Sequence, residues 1–162
     1  MNARVASILC GLCLVVAVVA GVLWSNRGAV VRLDGTIQMI RTAPIDEKSS
    51  VLVADFRITN PADVAFVVRG VRVLVDTAIG RSEEGMTIAE IDARRMFAGI
   101  PSLGQKYNDS LIARERVPPG QQIDRMISAR FEMPESSLEG RRRIRILVEE
   151  VDGAVTEIVE RR

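Results

Sequence analysis

An uninterrupted apolar stretch from Val5 to Trp24 constrains the rest of the chain more than any other feature. It contains 20 residues and no charged side chain. At about 1.5 Å of rise per residue, a helix of this length extends roughly 30 Å, the thickness of the hydrocarbon core of a bilayer. The sequence therefore predicts a single transmembrane helix at residues 5–24. A flank at 1–4 precedes this anchor, and a linker at 25–29 and a domain at 30–162 follow it.

A cleaved signal peptide is the alternative interpretation of this stretch, because Arg4 precedes it and Val18 and Ala20 suit a cut after Ala20. The apolar core of a signal peptide spans only about 7–15 residues, however, so we predict an uncleaved signal anchor. A very short N-terminal flank before a first apolar span usually stays in the cytosol. The domain is then expected outside the cytosol, in the periplasm or at the cell surface.

Residue composition argues against several classes of function. The chain contains 22 Lys and Arg residues against 21 Asp and Glu residues, and it contains no histidine. Balanced charge argues against nucleic acid binding, which requires a clustered basic surface. The absence of histidine removes the commonest general base and a frequent metal ligand. Both cysteines, Cys10 and Cys13, lie within the predicted anchor. We therefore expect no enzymatic activity, no cofactor and no metal site.

Period-two alternation predicts the first strands of the domain. Gly35 interrupts the apolar row of the earliest strand, which indicates a bulge. In the next strand, Leu52–Ile58, every second side chain is apolar. The residues Asn60–Asp63 favour a turn. A longer strand follows over Val67–Asp76, with a bulge at Gly70 where the apolar face switches. The two strands beside this turn are predicted to form an antiparallel pair.

A short helix is predicted after these strands. A turn at Gly80–Gly85 and a short strand ending at Ile91 lead to apolar residues that recur at helical spacing over Asp92–Ala98. Asp92 is placed at the N-cap, where a carboxylate accepts hydrogen bonds from the free amides and faces the positive end of the helix.

The C-terminal hairpin carries the strongest local turn signal. Asp152 and Gly153 stand between two alternating runs, and a two-residue type I′ turn requires positive φ at both positions. Pairing outward from this turn sets Leu147 opposite Ile158 and sets Arg145 opposite Glu160. The hairpin is apolar on parts of both faces, so we expect it to be covered on both sides or to close an edge of the sheet.

Together with strands over Leu111–Val117 and Ile123–Met133, the domain shows about seven or eight short strands and one short helix. Alternation, rather than continuous apolar runs, is typical of antiparallel sheets with one solvated face. The sequence therefore predicts an all-β, antiparallel β-sandwich. Phe56 and Phe131 are expected in its core, between the sheets.

Two stretches of the domain resemble a known family. The run LVADFRITNPADVAFVVRGVRVLVD, which contains Asn60-Pro61, is similar to the core of late-embryogenesis-abundant type 2 (WHy) domains. The later run VPPGQQIDRMISARFEMP resembles the Pro-Gly turn and following strand of that family. The resemblance implies an immunoglobulin-like β-sandwich, often membrane-anchored in bacteria, without catalytic residues. The segment Asp92–Asp109 departs from a minimal domain of this family.

Two basic groups are candidate binding residues. Arg94 and Arg95 on the predicted helix, with Tyr107 in the loop after it, form a candidate partner-binding patch. The run Arg141, Arg142 and Arg143 is a candidate contact for anionic lipid headgroups, although a solvated strand end is the plainer interpretation.

Three acidic residues are candidate catalytic carboxylates. Asp55 and Asp76 fit the solvated faces of strands, and Asp92 fits a helix cap. Their spacing brings no two of them together, so no catalytic pair is predicted.

Three functional hypotheses follow from these patterns. The first is a non-enzymatic, membrane-tethered β-sandwich that contacts an envelope protein or protects against stress. The second is a carrier of lipid or another apolar molecule, which would lie in the space between the sheets. The third is a hydrolase, which the missing residue types disfavour.

Overall fold

The structure is a computed structural model, and it describes residues 11, 13, 15–21 and 32–160. The chain divides into two compact units, Met1–Val30 and Val31–Arg162. In the first unit, the described residues are helical. None of the helices among the described residues is long and apolar enough to cross a bilayer. Most of the predicted anchor at 5–24, and the linker at 25–29, lie outside the described residues.

The second unit is predominantly β and consists of eight antiparallel strands in a curled sheet. The strands are β1 (Asp34–Pro44), β2 (Ser50–Thr59), β3 (Phe66–Asp76), β4 (Ser82–Thr87), β5 (Arg116–Val117), β6 (Gln122–Phe131), β7 (Arg143–Glu150) and β8 (Val155–Val159). Their hydrogen-bonded order is β1-β2-β6-β4-β3-β7-β8, and β5 pairs with β3. The predicted all-β, antiparallel class is confirmed.

Curling of the sheet brings its first and last strands together. The amide of Leu33, just before β1, donates a hydrogen bond of 3.0 Å to the hydroxyl of Thr156 on β8. Gly35 lies so close to Ile158 that an added Cβ would stand 2.5 Å from the Ile158 side chain. The C-terminal hairpin thus closes the sheet against β1. Closing an edge is one of the two arrangements expected for this hairpin.

The interior of the curl is filled by apolar side chains. The largest of them, Phe56, Phe66 and Phe131, are each at most 1% exposed. The predicted burial of Phe56 and Phe131 is confirmed. Both come from strands whose alternation places every second residue inside, so the burial follows from the pleat.

The predicted pairing of the strands beside Asn60–Asp63 is wrong. β2 pairs with β1 and β6, whereas β3 pairs with β4, β5 and β7, so this turn carries the chain between distant parts of the sheet. Asn60 holds the crossing in place: its side-chain amide donates to the carbonyls of Val64 and Val117, and its oxygen accepts from the Ala62 amide. A turn signal reports a change of direction but does not specify which strand the chain joins next.

One of the two predicted bulges is confirmed. In β3 the register against β7 shifts between Val68 and Gly70, so the extra residue is Arg69 and the buried face switches there. In β1 the register shifts between Ile37 and Met39, rather than at Gly35.

Three boundaries in the middle of the chain differ from the predictions. β4 starts at Ser82, within the expected turn, and ends at Thr87. The first helix of the second unit, α1, spans Glu90–Gly99, so Asp92 is not its N-cap; that position is Ala89, which makes no side-chain capping bond. Contacts of Glu90 with the following loop hold the first turn instead.

The strand expected over Leu111–Val117 shortens to the two residues of β5, because Arg114 has a φ of +68° and interrupts the extended backbone. A 3-10 helix follows α1 at Pro101–Leu103, and a second short helix, α2, spans Glu135–Glu139. The described part of the second unit thus has two short α-helices where one was expected.

The C-terminal hairpin exists, but its register is shifted by one residue from the prediction. Ile146 faces Ile158, and Leu147 faces Glu157. Glu150 and Ala154 close a three-residue loop, in which Gly153 alone has a positive φ, of +89°. Such loops combine a type I turn with one left-handed residue, unlike the predicted type I′ turn, which needs two.

The left-handed residue of this loop provides a test of the corrected hairpin. We expect Gly153→Val to lower the free energy of unfolding by about 1–3 kcal/mol, the usual cost of a strained backbone site. No atom lies within 4 Å of a Cβ built there, so the loss reports φ strain rather than a clash. Asp152→Asn is the control and should change stability by less than about 0.5 kcal/mol. Urea unfolding measures both, and equal midpoints for wild type and Gly153→Val would contradict the assigned loop.

Candidate functional site

The segment Glu90–Ser110, which we call the platform, covers the outer face of β1, β2 and β6. It contains α1, the 3-10 helix and the loop that follows. A second, smaller apolar cluster joins the platform to the sheet. Its buried members are Ala43, Val51, Val53, Ala93, Leu103 and Met126. The segment that departs from the resembled family is therefore a packed layer on the sheet.

Arg41 of β1 is the polar centre of this attachment. One guanidinium nitrogen donates to the carbonyls of Leu103 and Gln105, at 2.8 and 2.7 Å. Its Cζ atom lies 5.0 Å from the ring centroid of Phe97 and 5.3 Å from that of Tyr107. A cation placed over aromatic faces is attracted by the ring quadrupoles. One strand side chain thus contacts α1, the 3-10 helix and the loop together.

Asp55 of β2 completes the centre. One carboxylate oxygen accepts a hydrogen bond from Arg41, and the other accepts one of 2.9 Å from the Asn108 amide. The side chains of Arg41 and Asp55 are only 13% and 4% exposed. Removing one partner of a buried ion pair costs about 3–5 kcal/mol, because the other charge stays buried without compensation. The pair therefore fixes the position of the platform on the sheet.

Glu90, at the start of α1, is the second polar node of the platform. Its carboxylate accepts from the Ser110 amide at 2.8 Å, from Arg94 at 2.8 Å and from Lys106 at 2.9 Å. Burial alone would raise the pKa of Glu90, but hydrogen bonds from Lys106, Ser110 and Arg94 outweigh burial and lower this pKa to about 2. The two ends of the platform are thereby joined to each other.

All three residues of the candidate partner-binding patch lie on the platform. The side chains of Arg94 and Arg95 are 65% and 74% exposed, and Tyr107 is 62% exposed. Arg94 also lies 3.8 Å from Asp109 in the loop that carries Tyr107, whereas Arg95 pairs with Asp92 on its own helix. Ile91, 62% exposed, adds an apolar side chain to α1.

The three consecutive arginines of the candidate lipid contact each bind a different group of the protein. Arg141 is buried and pairs with Glu160 at 2.8 Å. Arg142 donates to the carbonyl of Ala78, and Arg143 pairs with Asp76. The run does not present three unpaired guanidinium groups to one ligand.

The three candidate acidic residues, Asp55, Asp76 and Asp92, lie apart from one another as well. Asp55 binds Arg41, Asp76 binds Arg143 and Arg145, and Asp92 binds Arg95. Within residues 11, 13, 15–21 and 32–160, no group of three or more metal-ligating side chains is placed to hold an ion.

A groove of about 720 Å³ opens where β4 and β6 diverge, and we call it the seam groove. Its walls come from both strands, from the β3–β4 turn and from α2. Its exposed apolar side chains include Ile79 and Met86, 77% and 72% exposed. The groove volume lies within the range of about 300–1,000 Å³ that is typical of ligand sites.

Neither the centre at Arg41 nor the seam groove was predicted from the sequence. Arg41 and Asp55 stand diagonally across the β1–β2 pair, since Arg41 faces Val53 and Met39 faces Asp55. A hairpin register for β1 and β2 would have suggested this charge pair. The one sequence feature that indicates the groove is Gly85, because a glycine inside a strand often marks a close approach of other atoms.

Comparison with known proteins yields little. No protein-family model matches the chain, and no curated protein matches it. Among solved structures, an uncharacterized beta-sandwich protein from Clostridium difficile 630 is similar to it, at 10% sequence identity and a TM-score of 0.41. The match covers 80% of this chain and 86% of that one. A likeness this low carries no argument about fold or function.

The lowered pKa of Glu90 predicts a pH-dependent stability. A carboxyl whose pKa falls from 4.5 to about 2 on folding stabilises the fold above its unfolded pKa, and this contribution disappears as pH falls through its folded pKa. Allowing for partial exposure, we expect Glu90 to contribute about 2–3 kcal/mol at pH 7. Glu90→Gln should therefore be destabilising above about pH 5 and approach wild type near about pH 2.5.

Urea unfolding of wild type and Glu90→Gln at several pH values measures this difference. Glu139→Gln, which changes an exposed carboxylate on α2, is the control and should match wild type at pH 7. A difference between wild type and Glu90→Gln that is the same at pH 3 and pH 7 would refute the assigned role of the carboxylate.

Proposed function

We propose that the chain is a non-enzymatic, membrane-tethered domain that binds a protein of the cell envelope or serves in stress protection. The observation that carries this proposal is the platform held rigidly by Arg41. Its nearly buried guanidinium contacts Asp55, two carbonyls and two rings, while Tyr107 and Arg94 stay exposed beside it. A surface ordered before binding loses less entropy on association, which favours recognition of a protein partner.

The proposal of a binding domain rather than an enzyme rests on which groups are available for chemistry. The sequence contains no histidine, and both cysteines precede the domain. The buried carboxylate of Asp55 is neutralised by Arg41 and hydrogen-bonded on both oxygens. A general base must come within hydrogen-bond reach of a substrate proton, whereas the side chain of Asp55 is only 4% exposed and is engaged by Arg41 and Asn108.

The proposal also includes a more specific fold class than antiparallel β. We infer an immunoglobulin-like β-sandwich related to late-embryogenesis-abundant type 2 domains, on the resemblance over Leu52–Asp76 and Val117–Pro134. The buried Asn60 supports the inference, because it holds the crossing turn with both ends of its side-chain amide.

The membrane part of the proposal rests on the uncharged stretch at 5–24 and predicts a defined topology. A signal anchor with a short cytosolic flank leaves residues after 27 outside the cytosol. An alkaline phosphatase fusion after Arg162 should be active, because this reporter requires export, and a green fluorescent protein fusion there should be dark. The opposite pattern would overturn the orientation, and a mature N-terminus at Gly21 would show cleavage.

Photocrosslinking tests the platform as the binding surface. We expect benzoylphenylalanine at position 107, in intact cells, to form one discrete adduct of higher mass. The same group at position 112 is the control, because Ile112 is 53% exposed but lies beyond the platform. Charge reversal by Arg94→Glu and Arg95→Glu together should reduce the adduct at position 107. Identical adducts from both positions, or none at 107, would contradict the proposal that the platform is the binding surface.

Binding of lipid or another apolar ligand is the alternative, and the seam groove is the observation that favours it. The interior of the curl is filled by Phe56, Phe66 and Phe131, so an apolar ligand would use the groove beside Ile79 and Met86. Mass spectrometry of the purified chain distinguishes the two functions. A lipid retained in stoichiometric amount through detergent exchange supports the alternative, and loss of all lipid opposes it.

A further inference from the structure

The seam groove exists because β4 changes partners along its length. Ser82–Gly85 pair with β3, whereas only Met86 and Thr87 pair with β6, opposite Arg130 and Ala129. Continuing that register would set Gly85 opposite Phe131 and Glu84 opposite Glu132, but no ladder forms there among the described residues. The backbone of β4 at Ser82–Glu84 therefore presents an edge without a neighbouring strand on the groove side.

The floor of the groove is the ring of Phe131. A Cβ on Gly85 would stand 2.5 Å from Cζ of Phe131, so this ring lies directly against the backbone of β4. Phe131 is 1% exposed and belongs to the main core. The floor is thus apolar and is part of the packed core.

The walls of the groove combine apolar side chains with charged side chains of both signs. Ile79, Met86 and Met133 supply apolar surface from three different elements. Glu83 and Glu132 line the same groove, and their side chains have no ion-pair partner in the described part of the chain. Arg81 and Arg130 line it as well, and Arg130 contacts Asp46 and Ser49 outside the groove. A ligand that carries both apolar and basic side chains would complement the apolar surface and the two unpaired carboxylates.

We infer that the seam groove binds an extended segment of a protein partner, which adds as a strand to the free edge of β4. The main chain of that segment would hydrogen-bond to Ser82–Glu84, while its side chains contact Met86 and Ile79 and bring Lys or Arg to Glu83 and Glu132. Strand addition of this kind draws affinity from backbone bonds and specificity from side-chain contacts. The site is separate from the platform and independent of its role.

Charge on the edge argues against a second copy of this chain as the occupant. Antiparallel pairing of two β4 edges would bring Glu83 and Glu84 of one copy opposite the same residues of the other. Like charges directly opposite each other destabilise a strand pair. Charged residues on an exposed edge are a common protection against self-association.

Selection from a displayed library of random 12-residue peptides, against the full chain in detergent micelles, provides the ligand for the test. We expect the enriched sequences to combine apolar with basic residues. The selected peptide, labelled and followed by fluorescence anisotropy, should bind the Glu83→Lys/Glu132→Lys variant at least tenfold more weakly. Glu47→Lys/Glu139→Lys, an equal charge change on two exposed residues outside the groove, should bind as wild type does.

Two further measurements separate strand addition from adhesion to an apolar surface. N-methylation of alternate amides of the peptide should abolish binding, because it removes the hydrogen bonds to the β4 edge. Hydrogen exchange should show new protection at Ser82–Glu84. Failure to enrich any peptide, equal binding of wild type and the double lysine variant, undiminished binding of the N-methylated peptide, or protection confined to the platform would each overturn the inference.

Discussion

Burial of β2 on both of its faces is the constraint on which the rest of the structure depends. Leu52, Ala54 and Phe56 point into the curl, while Val51 and Val53 point outward and are equally inaccessible. An antiparallel strand with one solvated face needs a single covering layer. A strand that is apolar on both faces needs two, and the platform supplies the second. The platform is thus part of the folding core rather than an appendage.

Polar contacts decide where the platform lies on that apolar face. Apolar packing is non-directional and would tolerate sliding, whereas the bond from Arg41 to Asp55 and its bonds to two carbonyls are satisfied in one position only. Arginine suits this task because its planar fork serves several acceptors while its faces stack on Phe97 and Tyr107. A lysine would offer a point charge without that geometry. Specific positioning is what allows the exposed neighbours of Tyr107 to act as one binding surface.

The two candidate binding surfaces share a common origin in β4. This strand pairs with β3, crosses to β6 at Met86, and passes through Ile88 directly into α1. Ile88 packs in the outer apolar cluster, and its amide bonds to the carbonyl of Ser128 on β6. The divergence that opens the seam groove is therefore the same change of direction that carries the chain onto the outer face. A single continuous segment of the chain therefore connects the groove to the platform.

Alternation along the chain was sufficient to predict the class of fold, the burial of Phe56 and Phe131, and the bulge beside Gly70, since each depends on the two-residue period of a single strand. The partner of β2, the one-residue shift of the last hairpin and the position of Arg41 under the platform were decided by tertiary structure. A turn at Asn60 has the same local chemistry whether the next strand pairs nearby or crosses the sheet. The choice between these two pairings depends on the burial of both faces of β2. That burial requires residues that are far apart in the sequence.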